Sequence, residues 1–296
     1  MKIKILAAIL LAGTMFTSCC TTAQSKGKVK KDIAIQLYSI RDTIARAGYN
    51  MEPIFKGLSE MGYNAIEAAS YGGGKFYGKT PEEFKATAEK YGITVLSSHC
   101  NRNLNAEELA SGNFTEALKW WEEAIAAHKA AGMTYIVNPY YSRPGTLKEL
   151  KTICDFFNEI GKMCNAAGLK YGYHNHSHEM VKVEDRVMLE YMIENTNPDY
   201  VFYELDVYWS VMGQKSPVEL FNKYPGRFKL LHIKDHREVG QSGMVGFDAI
   251  FNNAAKAGVE AIVVEIEGCK GTTMDGAKAS IDYLLNSSFV PASYGK

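Results

Sequence analysis

The sequence predicts a single eight-stranded α/β barrel, (β/α)8, over residues 32–296. Three observations carry that reading. Eight short apolar runs alternate with amphipathic stretches at a spacing of about thirty residues, the size of a β-strand plus its crossover helix. A glycine closes one helical stretch after another just before the next apolar run. Polar and ionisable side chains gather where the apolar runs end, which is the face on which barrels of this kind build their sites.

Taken in order, the strands are expected at Ile33 to Tyr38, Ala65 to Ala68, Ile93 to Ser97, Tyr135 to Asn138, Leu169 to His174, Val201 to Asp206, Phe228 to Ile233 and Ala261 to Ile266. Gly62, Gly92, Gly132, Gly168 and Gly258 each follow a helical stretch, as expected of residues in the left-handed conformation that ends a helix. Helix starts carry matching signals. Thr80, Thr146 and Ser216 each offer a capping hydroxyl with glutamate three residues on, and Pro81 and Pro217 take the first helical position in two of them. Between the third and fourth strands Phe114, Leu118, Trp121, Ile125 and His128 form one stripe, the period of a helix laid on a sheet, so His128 reads as a packing residue. A doubly wound open sheet is the competing architecture, but no Gly-x-Gly-x-x-Gly follows the first strand. Gly72-Gly73-Gly74 reads as a flexible loop over the barrel mouth.

The N-terminus is set apart from this pattern. Lys2 and Lys4, the apolar run Ile5 to Ala12 and the small-residue site Thr17-Ser18-Cys19 have the form of a bacterial lipoprotein signal. Residues 1–19 are therefore expected to be a signal, Cys19 a lipidated anchor, and residues 20–31 a lysine-rich tether to a periplasmic or outer-membrane-associated domain. A plain secretory signal is the alternative, and either implies export. Lysine plus arginine and aspartate plus glutamate both number 33, which gives no basic footprint for nucleic acid. Cys100, Cys154, Cys164 and Cys269 could pair in an oxidising compartment, but their spacing reads as small buried hydrophobes rather than as a disulfide framework.

The candidate site follows from the strand ends. Tyr-Gly-Tyr-His-Asn-His-Ser-His-Glu, residues 171–179, places three of the seven histidines within five positions, where a strand gives way to a loop. Successive strand ends add His99, Asp206, His232 and Glu265. Carboxylates crowded into a barrel mouth are desolvated and mutually repelling, which a divalent cation relieves. His174, Asp206, His232 and Glu265 come from adjacent strands, and two imidazoles with two carboxylates suit Mn²⁺, Co²⁺, Fe²⁺ or Zn²⁺. A salt-bridge network without metal is the bland alternative.

These motifs resemble the xylose-isomerase-like barrels of the sugar phosphate isomerase/epimerase family. The resemblance is carried by Ile35-Gln36-Leu37-Tyr38-Ser39-Ile40-Arg41, Tyr173-His174-Asn175-His176, Glu204-Leu205-Asp206-Val207-Tyr208-Trp209, Leu231-His232-Ile233-Lys234-Asp235 and Val264-Glu265-Ile266-Glu267. It implies one divalent metal on Asp206, His232 and Glu265, with His174 where the family carries a glutamate. It also implies removal of a proton beside a sugar carbonyl. With a histidine in place of one of two facing glutamates, hydration, dehydration or β-elimination is favoured over isomerisation or epimerisation.

Glu265 or Glu179 is the expected base and His176 or His99 the partner acid. Arg41, Glu67, Asn138 and Lys234 are expected to orient sugar hydroxyls. Tyr38, Tyr71, Phe76, Tyr77, Tyr140 and Trp209 are expected to form an aromatic wall. A carbohydrate is the expected small-molecule partner, homo-oligomer formation is open, and a catalytically inactive carbohydrate-binding lipoprotein is the reading from another class.

Overall fold

A computed structural model describes residues 30–295. The signal, Cys19 and most of the tether lie outside the described residues. Lys31, placed by sequence at the tether's end, is instead buried, and its ammonium donates to the carbonyls of Leu284 at 2.8 Å and Ser287 at 2.7 Å. A cation at the end of helix Thr273–Asn286 satisfies carbonyls that have no partner within the helix.

Eight parallel strands close into a barrel: β1 Ala34–Gln36, β2 Ala65–Ala68, β3 Thr94–His99, β4 Tyr135–Asn138, β5 Lys170–His174, β6 Val201–Asp206, β7 Phe228–Ile233 and β8 Ala261–Val264. Each pairs with its sequence neighbours, and β8 closes on β1. The predicted (β/α)8 class and all eight strand positions hold. The first strand is the one most shortened, because Gln36 turns its side chain back to accept from the Tyr38 amide and starts a 3₁₀ turn at Leu37–Ile40.

The helices begin and end where their punctuation says. Thr80 and Thr146 form reciprocal caps with Glu83 and Glu149, and the Ser216 hydroxyl accepts from the Glu219 amide. All five predicted terminal glycines have positive φ, between 69° and 112°. The helix Thr115–Ala130 buries Trp121, Ala124, Ile125 and His128 against the barrel, while Phe114 sits just before its first turn. Gly72 to Gly74 is a tight hairpin turn rather than a loose flap. Gly73 and Gly74 take φ of 55° and 73°, joining the two-residue strands Tyr71–Gly72 and Lys75–Phe76.

Two apolar regions hold the fold. The larger lies between barrel and helices and includes Trp121, Phe84, Phe156 and Phe157. Burying side chains of that size contributes about 2–3 kcal/mol each. The smaller fills the barrel's lower interior with Tyr135, Val137, Phe202 and Leu230. Gly172 belongs to that packing, since a Cβ there would stand 2.5 Å from the Phe202 ring. This plug is a floor. Two residues further along their strands Gly172 gives way to His174, Phe202 to Glu204 and Leu230 to His232, so the layer above the plug is polar.

His128 illustrates packing that has a pH signature. Fully buried, it rests against the rings of Tyr71 and Phe76 at 4.9 and 5.0 Å and uses Nδ1 on the Ala124 carbonyl. Burial pushes its pKa down to about 4, so the unfolded chain takes up this proton at higher pH than the folded one. Its stabilising contribution is complete above about pH 6.5 and is lost as pH falls toward 4. Urea unfolding should therefore show about 2 kcal/mol less stability at pH 5 than at pH 7 from this residue alone. His128→Gln should flatten that part of the slope; an unchanged slope would assign the acid sensitivity elsewhere.

Candidate metal centre at the barrel mouth

The strand register brings the polar residues into contact. His174 lies opposite Glu204 across β5 and β6, Asp206 opposite His232 across β6 and β7, and Gln36 opposite Glu67 across β1 and β2. One ligand atom from each of His174, Asp206, His232 and Glu265 falls within 4.8 Å of the others. These are the four residues expected from sequence.

The donor set fits a divalent cation. Asp206, fully buried, caps the helix Val207–Met212 by accepting the Trp209 amide on Oδ1 at 2.8 Å. Its Oδ2 is buried and has no hydrogen-bond partner among the described residues. Burial, reinforced by the Glu265 charge, pushes the Asp206 pKa up to about 7. A sealed carboxylate oxygen without a proton donor is a site short of positive charge. Glu265 differs. Burial opposes its ionisation, but His232 Nδ1 at 3.0 Å and the Lys234 ammonium at 3.1 Å from Oε2 hold it well below the usual carboxylate range. It is an anion with one oxygen engaged and Oε1 left over.

Above this cluster opens a cavity of about 590 Å³ lined by Gln36, Tyr38, Tyr71, His99, Tyr140, His174, His176 and Glu265, among others. Tyr38 and Tyr140 stand exposed at its rim. Glu265 is the one carboxylate among the described residues that line it.

Other expected residues take different places. Glu179 is buried away from the cavity, accepting from the Tyr173 hydroxyl at 2.6 Å and the His176 amide at 2.8 Å, so it holds the histidine loop rather than meeting a substrate. Glu67 is also sealed. It accepts from Ser97 at 2.7 Å and contacts His232 and His99 Nε2 at 2.9 and 3.0 Å, beneath the residues it was expected to accompany. Asn138 is buried and shapes the following loop through Asn103 and the Tyr140 amide. Arg41 is exposed and bonded to the Tyr38 carbonyl, its guanidinium 4.2 Å over the Tyr38 ring. Lys234 is buried between Glu265 and Glu267 and over Trp209.

His99 reaches the cavity, but both its nitrogens are engaged. Gln36 Oε1 is taken by the Tyr38 amide, so the Gln36 NH₂ faces His99 Nδ1 at 3.1 Å and the ring proton sits on Nε2. His176 is freer. It lines the cavity with Nδ1 unpartnered, packs against Trp209 at 5.9 Å, and burial brings its pKa down to about 4. Of the aromatic wall, Tyr38, Tyr71 and Tyr140 line the cavity, while Phe76 is core and Tyr77 turns its hydroxyl to the Ala69 amide. All four described cysteines are unpaired, and none of the described helices is long and apolar enough to cross a membrane.

Sequence places Gln36 and Glu204 among the polar strand-end residues without a role, and it does not mark Ser97. Glu204 had a readable signal: two residues before Asp206 on one strand, it must share the inward face. The irregular pairing of β2 with β3, which sets Ser97 rather than Leu96 opposite Glu67, decides which face Ser97 and His99 share, and sequence does not display it.

Comparison with known proteins agrees with this geometry. The xylose isomerase-like TIM barrel family model matches residues 55–287. A solved structure described as a sugar phosphate isomerase/epimerase from Parabacteroides distasonis is 33% identical, with a TM-score of 0.81 over 92% of this chain and 99% of that one. The IOLI protein with a bound zinc atom shares the fold, at 14% identity and a TM-score of 0.66 over 90% of this chain and 100% of its own. Inosose dehydratase from Geobacillus kaustophilus is 24% identical over 218 residues, 67% of each chain. The match to inosose dehydratase from Clostridium beijerinckii, 29% identical, spans only 30% of either chain. With a closed barrel and a family match over most of its length, the chain belongs to the xylose isomerase-like TIM barrel family.

Proposed function

We propose that the protein is a metal-dependent carbohydrate lyase, a dehydratase or β-eliminating enzyme that removes the proton beside a keto-sugar carbonyl. The supporting observation is one ionised carboxylate, Glu265, at the floor of a polar cavity and beside a buried cluster with an unsatisfied anionic oxygen. His174, Asp206, His232 and Glu265 would hold the ion. When bound it supplies charge that stabilises the negative charge developing on the carbonyl oxygen, an effect worth several kcal/mol.

The chain's own residues do the rest. Glu265 Oε1 takes the α-proton, the electron pair forms the carbon–carbon double bond, and the β C–O bond breaks. The departing hydroxide leaves as water with the proton that Glu265 removed. His176, neutral at pH 7, hydrogen-bonds the departing oxygen, and Tyr38 and Tyr140 border the ring. His99 and Glu179 leave the list of proton carriers, the first because its nitrogens are engaged and the second because it is sealed.

Isomerisation or epimerisation by the same proton abstraction is the second reading, favoured by the name of the Parabacteroides relative. Symmetric exchange between facing carboxylates lacks its second member among the described cavity residues. The test is incubation with keto-inositols and keto-glycosides in D₂O. An ultraviolet-absorbing enone supports elimination; deuterated substrate or its epimer without enone supports the second reading. Neither product, with binding retained, returns the protein to the inactive binding class.

The sequence pattern before Cys20 supports export as a lipoprotein anchored at Cys19. Labelling of the expressed chain with a fatty-acid probe, lost in Cys19→Ala, is the expected result; an unlabelled soluble chain would contradict it.

A further inference from the structure

The Glu204 carboxylate lies one layer below the candidate ligands and is fully buried. Its Oε2 stands 3.2 Å from His174 Nδ1, 3.2 Å from His232 Nε2 and 3.0 Å from His99 Nε2. Its Oε1 is buried without a partner among the described residues. Glu67 adds a second brace from the far side of the barrel. One of its oxygens meets both His232 and His99, and the other is fixed by the Ser97 hydroxyl.

An imidazole that donates through one nitrogen presents a lone pair on the other. The ring atoms facing Glu204 are Nδ1 of His174 and Nε2 of His232. The opposite atoms, Nε2 of His174 and Nδ1 of His232, are then the ones free for the ion, and His232 Nδ1 does face Glu265.

We propose that Glu204, braced by Glu67, is a positioning residue that sets the tautomers of both histidine ligands and aims them at the ion. The three imidazoles around Glu204 could alternatively take an ion themselves, since their donor atoms also converge. Hydrogen bonding is the better reading. An ion held below through His232 Nε2 would leave the Asp206 Oδ2 without a counter-charge, whereas one proton on Nε2 serves Glu204 and Glu67 and leaves Nδ1 for the ion beside Asp206 and Glu265. This inference rests on the metal reading of the preceding subsection.

The experiment measures Co²⁺ affinity by competition with a chromophoric chelator, Co²⁺ stoichiometry at saturation, and melting of the metal-free protein. Wild type is compared with Glu204→Gln and Ser97→Ala. Expected for Glu204→Gln is a 10- to 100-fold weaker affinity at unchanged stoichiometry, with an altered visible Co²⁺ spectrum. Ser97→Ala, which only releases the brace, should weaken binding by a smaller factor with melting close to wild type. It keeps the inference testable if Glu204→Gln does not fold.

Unchanged affinity in both variants, with only a lower melting temperature, would make Glu204 merely structural and overturn the inference while leaving the metal reading intact. A drop in stoichiometry in Glu204→Gln would make Glu204 a ligand and overturn it as well. Wild type that binds no Co²⁺ would overturn both readings.

Discussion

Asp206→Asn should lose divalent metal while the fold keeps or gains stability. The substitution is nearly isosteric, and an asparagine oxygen can still accept the Trp209 amide and cap the helix. What disappears is the anionic Oδ2, the buried atom without a partner. Metal affinity is expected to fall roughly 100-fold or more, since removing a charged ligand exceeds the 10- to 100-fold typical of outer-shell changes.

Stability should move the other way in metal-free protein. The folded-state pKa of Asp206 is pushed up to about 7, above its unfolded value, so the folded chain binds this proton more tightly. Stability from this group is present at low pH and lost as pH rises from about 4 to 7. Asparagine has no proton to lose. Metal-free Asp206→Asn should therefore melt at or above wild type at pH 7.5, with the gap closing near pH 4. Scanning calorimetry of both proteins in chelator checks this; a variant that melts well below wild type while keeping its metal would show that Asp206 is structural.

Glu265→Gln should reduce proton abstraction by about 10²- to 10⁴-fold, the usual contribution of a positioned general base. Glutamine keeps the size and can still accept from Lys234, but it takes no proton. Because Glu265 is also a candidate ligand, the comparison must be made with metal restored to equal occupancy. Substrate binding should change far less than turnover, because the cavity walls at Tyr38, Tyr71 and Tyr140 are untouched. Exchange at the α-carbon that persists in fully loaded Glu265→Gln would move the base elsewhere, with His176 the nearest remaining cavity group.

Much of this molecule is legible in its sequence because local signals agree with the global pattern. Thr80 and Thr146 announce helix starts by a hydroxyl and a glutamate, and Gly62 or Gly168 announces an end by a conformation that other residues resist. His174, Asp206, His232 and Glu265 could be placed together because the ends of consecutive strands are neighbours in a closed barrel.

Glu67, Glu179 and Asn138 are polar residues at or just beyond strand ends, and the pattern alone does not say whether such a group reaches the cavity or lies a layer beneath it. For Glu67 a shift of one residue in the pairing of β2 with β3 decides it. Phe76 and Tyr77 were misplaced because Gly73 and Gly74 fold their segment back as a hairpin, driving Phe76 against Phe84 and His128. Glu204 is visible at a strand end, but its supporting role is not legible because its partners come from three other strands.

The central claim is that ion and carboxylate act together on one carbon–hydrogen bond. Its most direct measurement is metal-dependent exchange of the α-proton of a keto-sugar in D₂O, followed by nuclear magnetic resonance in wild-type protein as purified, after chelation, and after Mn²⁺, Co²⁺ or Zn²⁺ is restored. Exchange or elimination that vanishes on chelation and returns with one equivalent of metal is the expected result. Exchange that continues undiminished in metal-free protein would contradict it.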